Sequence, residues 1–235
     1  VNKNSMKVAI IPARIGSKRI PKKNIKNFCG KPIIFWTIKA IKKTKIFDKI
    51  IVSTDSKKIA SMVKKYSVEV PFLRPALLSN DQTSLFKVME HAIKWLIKNN
   101  HDPSFVCCIY PTAAFVKPSD ILKGYRMLKK GKWHFVFAAT SFDSVSRAFQ
   151  KNSNKGLKML FPQNFHKRTQ DSKRVYHDAG LFCWGKKNSW LRSEPVFSKN
   201  SSIVYIPKWR AHDINTMEDW NVAEKFAKLN NLLKF

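Results

Sequence analysis

Ile10 to Asn24 reads IIPARIGSKRIPKKN, and the fold hangs on how this segment is read. Val8, Ile10 and Ile11 make an apolar run that stops at Pro12 and opens into a loop bearing Arg14, Ser17, Lys18, Arg19, Lys22 and Lys23. A strand that runs into a basic, hydroxyl-bearing loop makes a phosphate cradle. The side chains bring positive charge, and backbone N–H groups around Gly16 can converge on oxygens. Two common phosphate loops are excluded. A Walker loop needs glycine where Ile11 stands, and the glycines are too sparse for GxGxxG.

Outward from this loop, short β-rich runs at 7–12, 49–54, 68–72, 104–110 and 134–140 alternate with helix-period segments near 31–44, 56–65, 83–98 and 118–130. That rhythm predicts an α/β fold, a mostly parallel sheet flanked by crossover helices. Asp55 or Ser56, Thr83 or Ser84, and Pro118 with Ser119 mark helix starts. From about 141 to 200 the pieces shorten (157–161, 175–184, 202–206), which predicts strands and an arm added to one domain spanning 1–235. Thr216 and Asp219 form a capping-box pattern before a last helix whose Trp220, Ala223, Phe226 and Ala227 share one face. In open α/β sheets, ligands lie beyond the carboxyl ends of the strands, where the basic loop begins.

Composition narrows the partners. The chain has 235 residues, 44% hydrophobic, enough for one sizeable core. It has no apolar run of membrane-span length, and VNKNSMK lacks the apolar centre of an export signal, so a soluble cytoplasmic protein with no membrane partner is expected. Cys29, Cys107, Cys108 and Cys183 form no CxxC pair and predict free thiols. The net charge of +30 invites a polyanion, yet only nine of the 45 basic residues are arginine. The lysines are scattered and no aromatic residues interleave with them, so no specific nucleic-acid partner is expected.

Further motifs follow in order: Ser53-Thr54-Asp55, Arg74-Pro75 with Leu78 to Ser84, Ile109-Tyr110-Pro111-Thr112-Ala113, Phe161 to Asp171, Tyr176-His177-Asp178-Ala179-Gly180, and Asp213-Ile214-Asn215-Thr216 with Glu218-Asp219-Trp220. Together with IPARIGSKRIPKKN they resemble the CMP-sugar synthetases, the cytidylyltransferases of the CMP-N-acetylneuraminate synthetase family. Tyr110 and the stretch FPxNxxxRxQDxxxxYHDAGxF resemble the pseudaminic acid branch. The similarity runs from Ile10 to Trp220. It implies a Rossmann-like, GT-A-like nucleotidyltransferase with a small inserted dimerisation arm, acting as a homodimer. The implied reaction transfers CMP from CTP to the anomeric hydroxyl of a nonulosonic acid, with pseudaminic acid first and legionaminic acid, N-acetylneuraminic acid or Kdo as alternatives.

The resemblance also implies roles. Arg14, Ser17, Lys18, Lys23 and Asn24 fall on nucleotide positions, with Lys23 and Arg14 facing the phosphates where charge develops. Arg74 can hold phosphate or ribose and Ser84 a base or ribose edge, although Ser84 fits helix capping equally. On the sugar side, Arg168 can clamp a carboxylate bidentately, and Tyr110, Gln170, Tyr176, His177 and Asp178 can shape the pocket. His177 fits a structural role as well as a ligand-contacting one. Asp213 and residue 215 match the family's Mg²⁺ aspartates, and alternation on an extended chain puts both on one face. Asn215 replaces the second aspartate. It offers a carbonyl oxygen without charge, so weaker metal binding, or a nucleotide-binding relative with weakened catalysis, is the corresponding expectation.

Overall fold

The structure is a computed structural model and describes residues 5–142, 145–153, 155–166, 168, 174–230 and 233. In chain order its strands and helices are β1 (Lys7–Pro12), the two-residue β2 (Asn27–Phe28) and β3 (Lys31–Pro32), α1 (Ile33–Thr44), β4 (Lys49–Ser53), α2 (Lys57–Lys64), α3 (Leu85–Lys98), β5 (Phe105–Ile109), α4 (Pro118–Lys129), β6 (Phe135–Phe142), β7 (Phe149–Lys151), β8 (Leu157–Met159), β9 (Val175–Lys186), α5 (Lys187–Leu191), β10 (Ser201–Tyr205) and α6 (Met217–Leu229).

Six strands form one sheet in the order β10-β6-β9-β5-β1-β4. The β1–β4, β1–β5 and β6–β10 pairs are parallel, while β9 runs antiparallel between β5 and β6. Alternation along each strand feeds two cores. Ala9, Ile11, Cys107, Ile109, Val136 and Ala138 pack with α1, α2 and α4. Val8, Ile10, Val106, Cys108, Phe135 and Phe137 pack with α3 and α5 on the other face. A sheet buried on both sides explains why β1 and β5 read as continuous apolar runs. All four cysteines are free, three of them buried in these layers. Among the described residues, no helix is long and apolar enough to cross a membrane.

The expected strand at 68–72 is reduced to isolated parallel bridges, Ile51 with Glu69 and Thr54 with Leu73. This segment lies at the sheet edge beyond β4, and Pro71 denies it a ladder N–H. Within the 141–200 region, β7 and β8 form a separate two-stranded hairpin off the main sheet.

A third core is what builds the site. Ile20 from the basic loop and Phe28 of β2 pack with Ile33, Phe115, Ile214, Trp220, Ala223 and Ala227. Trp220 is almost fully buried, edge-on to Phe28 at 5.3 Å. Burying such a ring stabilises by roughly 2–3 kcal/mol. The α6 cap reinforces it. Thr216 Oγ1 accepts from the Asp219 N–H at 3.1 Å, while Asp219 Oδ2 accepts from Thr216 N–H at 2.8 Å and Asn215 N–H at 2.9 Å. The segment just before α6 is thereby fixed against the basic loop nearly 200 positions upstream.

Candidate active site

Each wall of the cleft comes from a strand end. The basic loop leaves β1 and is strapped to the end of β4, Ala13 N–H to Ser53 O at 2.9 Å and Ile15 N–H to Asp55 Oδ1 at 2.9 Å. Asn24, itself buried, donates through Nδ2 to Arg14 O at 2.8 Å and so closes the loop on itself. Arg74 hangs from Thr54 O by its N–H at 2.7 Å, and its guanidinium, buried beneath the floor, donates through Nε to Ser79 Oγ at 3.2 Å. Burial pulls the Arg74 pKa down, partly offset by Asp55. Tyr110 and Pro111 continue β5, with both carbonyls accepting from Thr37 Oγ1.

The cleft so formed has a volume of about 500 Å³ and collects Arg14, Ser17, Lys18, Lys23, Asn24, Arg74, Tyr110 and Asn215, all singled out in the sequence. Lys23 closes one side. Its ammonium donates to Ile214 O at 2.7 Å, and its pKa is lowered, mainly by burial, with Asp213 pulling the other way. Asp213 stands beside the rim, where its Oδ2 accepts from Asn215 Nδ2 at 2.6 Å. The basic loop thus meets the segment that carries the C-terminal carboxylate.

The sugar-side residues divide. Asp178 is half-buried next to Asp213: its Oδ1 accepts from Gly180 N–H at 2.8 Å, and its pKa is raised by burial first and by Asp213 as well. Burial also raises the Tyr110 phenol, so it stays protonated, with Asp178 and Asp213 adding to the shift. His177 is exposed, lies edge-on to Phe142 and places Nδ1 2.9 Å from Asp178 O. Tyr176 and Arg168 are exposed. Gln170 lies outside the described residues. Ser84 is the N-cap of α3, its hydroxyl accepting from Lys87 N–H at 3.4 Å, and it does not line the cleft.

Gly180 shows why the YHDAG segment carries a glycine. Its φ is +62°, and a Cβ there would lie 3.3 Å from Asp213 Oδ1. Gly180→Ala is expected to cost about 1–2 kcal/mol from the left-handed backbone alone, visible as a lowered melting temperature, and to push the Asp213 carboxylate aside.

Of two further cleft residues, Asp81 has no role assigned from sequence and Arg19 reads only as one of the loop's positive charges. Asp81 binds Arg14 Nη2 at 2.6 Å and Lys18 Nζ at 2.7 Å, and hydrogen bonds from Lys18 and Arg14 hold its carboxyl below the usual range. Arg19 donates through Nη2 to Asn215 Oδ1 at 2.7 Å. Both sat in plain view in the motifs, but the contacts join segments distant in sequence.

A family model described as cytidylyltransferase matches residues 8–189. The chain belongs to the cytidylyltransferase family. This cytidylyltransferase is 37% identical to the pseudaminic acid cytidylyltransferase of Campylobacter jejuni, over 95% of its own length and 97% of the relative's. It is 40% identical to the CMP-N,N'-diacetyllegionaminic acid synthase of Legionella pneumophila, with the same two coverages. A solved CMP:2-keto-3-deoxy-manno-octonic acid synthetase complexed with CTP superposes with a TM-score of 0.72 at 12% identity, covering 96% of this chain and 100% of that one, a likeness of fold.

Proposed function

We propose that this cytidylyltransferase transfers CMP from CTP to the anomeric hydroxyl of pseudaminic acid, releasing pyrophosphate, with the whole of 1–235 working as one domain. The observation that carries this reading is the meeting of Lys23 with the Ile214 carbonyl beside Asp213, which lets one triphosphate reach both the basic loop and the carboxylate. The C2 hydroxyl oxygen attacks the α-phosphorus in line, the bond from that phosphorus to the bridging oxygen breaks, and pyrophosphate leaves on the opposite side. The protein's part is positioning and charge. Arg14, Lys18 and Lys23 hold the phosphates, Ser17 and Asn24 shape the loop, and Arg74 fixes the nucleoside end.

A divalent cation, Mg²⁺ by chemistry, fits the donors present. Asp213 offers an exposed carboxylate, with Asp178 close enough to feel its charge. Mg²⁺ is commonly held by one or two carboxylates together with substrate phosphates. When bound, it would neutralise phosphate charge and acidify the attacking hydroxyl.

For the acceptor, the YHDAG segment beside Asp213 and Tyr110 in the cleft support pseudaminic acid, and Arg168 and Gln170 are assigned to its carboxylate and polar groups. A second reading, legionaminic acid, is favoured by the 40% identity to the Legionella enzyme. Product analysis with CTP and each sugar separates them. The exposed Phe149, Leu157, Leu160, Phe161 and Phe165 on and beside the β7–β8 hairpin support a homodimer that covers this arm, and a monomer by sedimentation would remove that part. The free cysteines support a cytoplasmic setting.

Asp81 pairs with two of the cations assigned to the phosphates, Arg14 and Lys18. Asp81→Asn is therefore expected to bind CTP more tightly, about two- to fivefold because the pairs are exposed, by calorimetry at low salt. Weaker binding would mean that Asp81 orients the cations for CTP instead of competing with it.

A further inference from the structure

Asn215 is gripped on both sides of its amide. Nδ2 donates to Asp213 Oδ2 at 2.6 Å, Oδ1 accepts from Arg19 Nη2 at 2.7 Å, and its backbone N–H is anchored on Asp219 Oδ2. Chemistry fixes this orientation, because a carboxylate only accepts and a guanidinium only donates. Asparagine can do both at once, accepting through Oδ1 and donating through Nδ2. An aspartate would satisfy Arg19 but set a second negative charge at hydrogen-bond distance from Asp213. Arg19 itself lines the same cleft as Arg14, Lys18 and Lys23, and the bond to Asn215 uses one of its five N–H donors.

We propose that Arg19 is a further phosphate-binding residue of this cleft and that Asn215 is its positioning residue, a bridge that aims the guanidinium and steadies Asp213 in place of acting as a metal ligand. The assignment rests on the reading of the cleft as a CTP site. The substitution at 215 then exchanges a second carboxylate for a directed cation. Charge on the leaving pyrophosphate is met by Arg19 as well as by Lys23, and a bound divalent cation would be held by Asp213.

The test is calorimetric binding of inorganic tripolyphosphate with chelator present, so that no metal contributes. Arg19→Ala is expected to weaken binding about tenfold, with a larger loss at low salt than at high salt. Asn215→Ala is expected to weaken it severalfold while Arg19 is present and to add nothing in the Arg19→Ala background, the non-additivity of a coupled pair. Matching melting temperatures would show that the exposed Arg19 and the half-buried Asn215 are not needed for folding. Unchanged affinity in Arg19→Ala, or independent additive losses in the double variant, overturns the proposal. If the unsubstituted protein binds neither tripolyphosphate nor CTP, the cytidylyltransferase reading of the cleft falls first and takes this one with it.

Discussion

Lys23→Ala is expected to lower CMP-transfer turnover by about 10²–10³-fold, the usual cost of removing one preorganised charge from a site where negative charge develops. The ammonium is half-buried, tied to the Ile214 carbonyl and close enough to Asp213 to feel its charge. Its role concerns charge and not packing. Fold should persist, because the third core holds the loop through Ile20, and β2 through Phe28, without it. Circular dichroism and a melting curve check the fold, and pyrophosphate release checks the rate. Near-normal turnover would remove Lys23 from the chemistry.

Asp120→Ala is expected to be strongly destabilising. Arg210 Nη1 and Nη2 bind Asp120 Oδ2 and Oδ1 at 2.5 and 3.2 Å, and both side chains are buried. Losing the carboxylate strands a guanidinium away from water, at a cost of about 3–5 kcal/mol. It also takes the acceptor from Lys117 N–H at the start of α4. For a chain of this size the melting temperature should drop by roughly 10 °C. Arg210 precedes Asp213 by three positions, so the carboxylate beside the cleft should also lose its setting. Replacing both partners, Asp120→Leu with Arg210→Met, is expected to recover much of the stability. A melting temperature unchanged by Asp120→Ala would show that the pair contributes little.

What the sequence makes legible is what local chemistry dictates. The period of apolar residues marks β1, β4, β5 and β6 and helices α1 to α4 nearly to the residue, and the Thr216–Asp219 box marks the start of α6. The basic loop announces itself because its charges are contiguous. The rest depends on contacts between distant segments. Nothing local says that β9 enters antiparallel between β5 and β6, since a strand buried on both faces reads alike in either direction. The edge segment at 68–72 has strand-like composition but a partner on one side only. Asp120 and Arg210 are 90 positions apart, and Arg19 and Asn215 are 196 apart. Ser84 illustrates the reverse: its capping role was as readable as its nucleotide role, and its hydroxyl engages the helix end.

The claim that basic loop and C-terminal carboxylate serve one transfer reaction is tested most directly by pyrophosphate release from CTP with Mg²⁺ across a panel of nonulosonic acids. The account predicts one pyrophosphate per CMP-sugar formed, fastest with pseudaminic acid. Tight CTP binding with no release for any acceptor would contradict it and leave a nucleotide-binding protein without transfer.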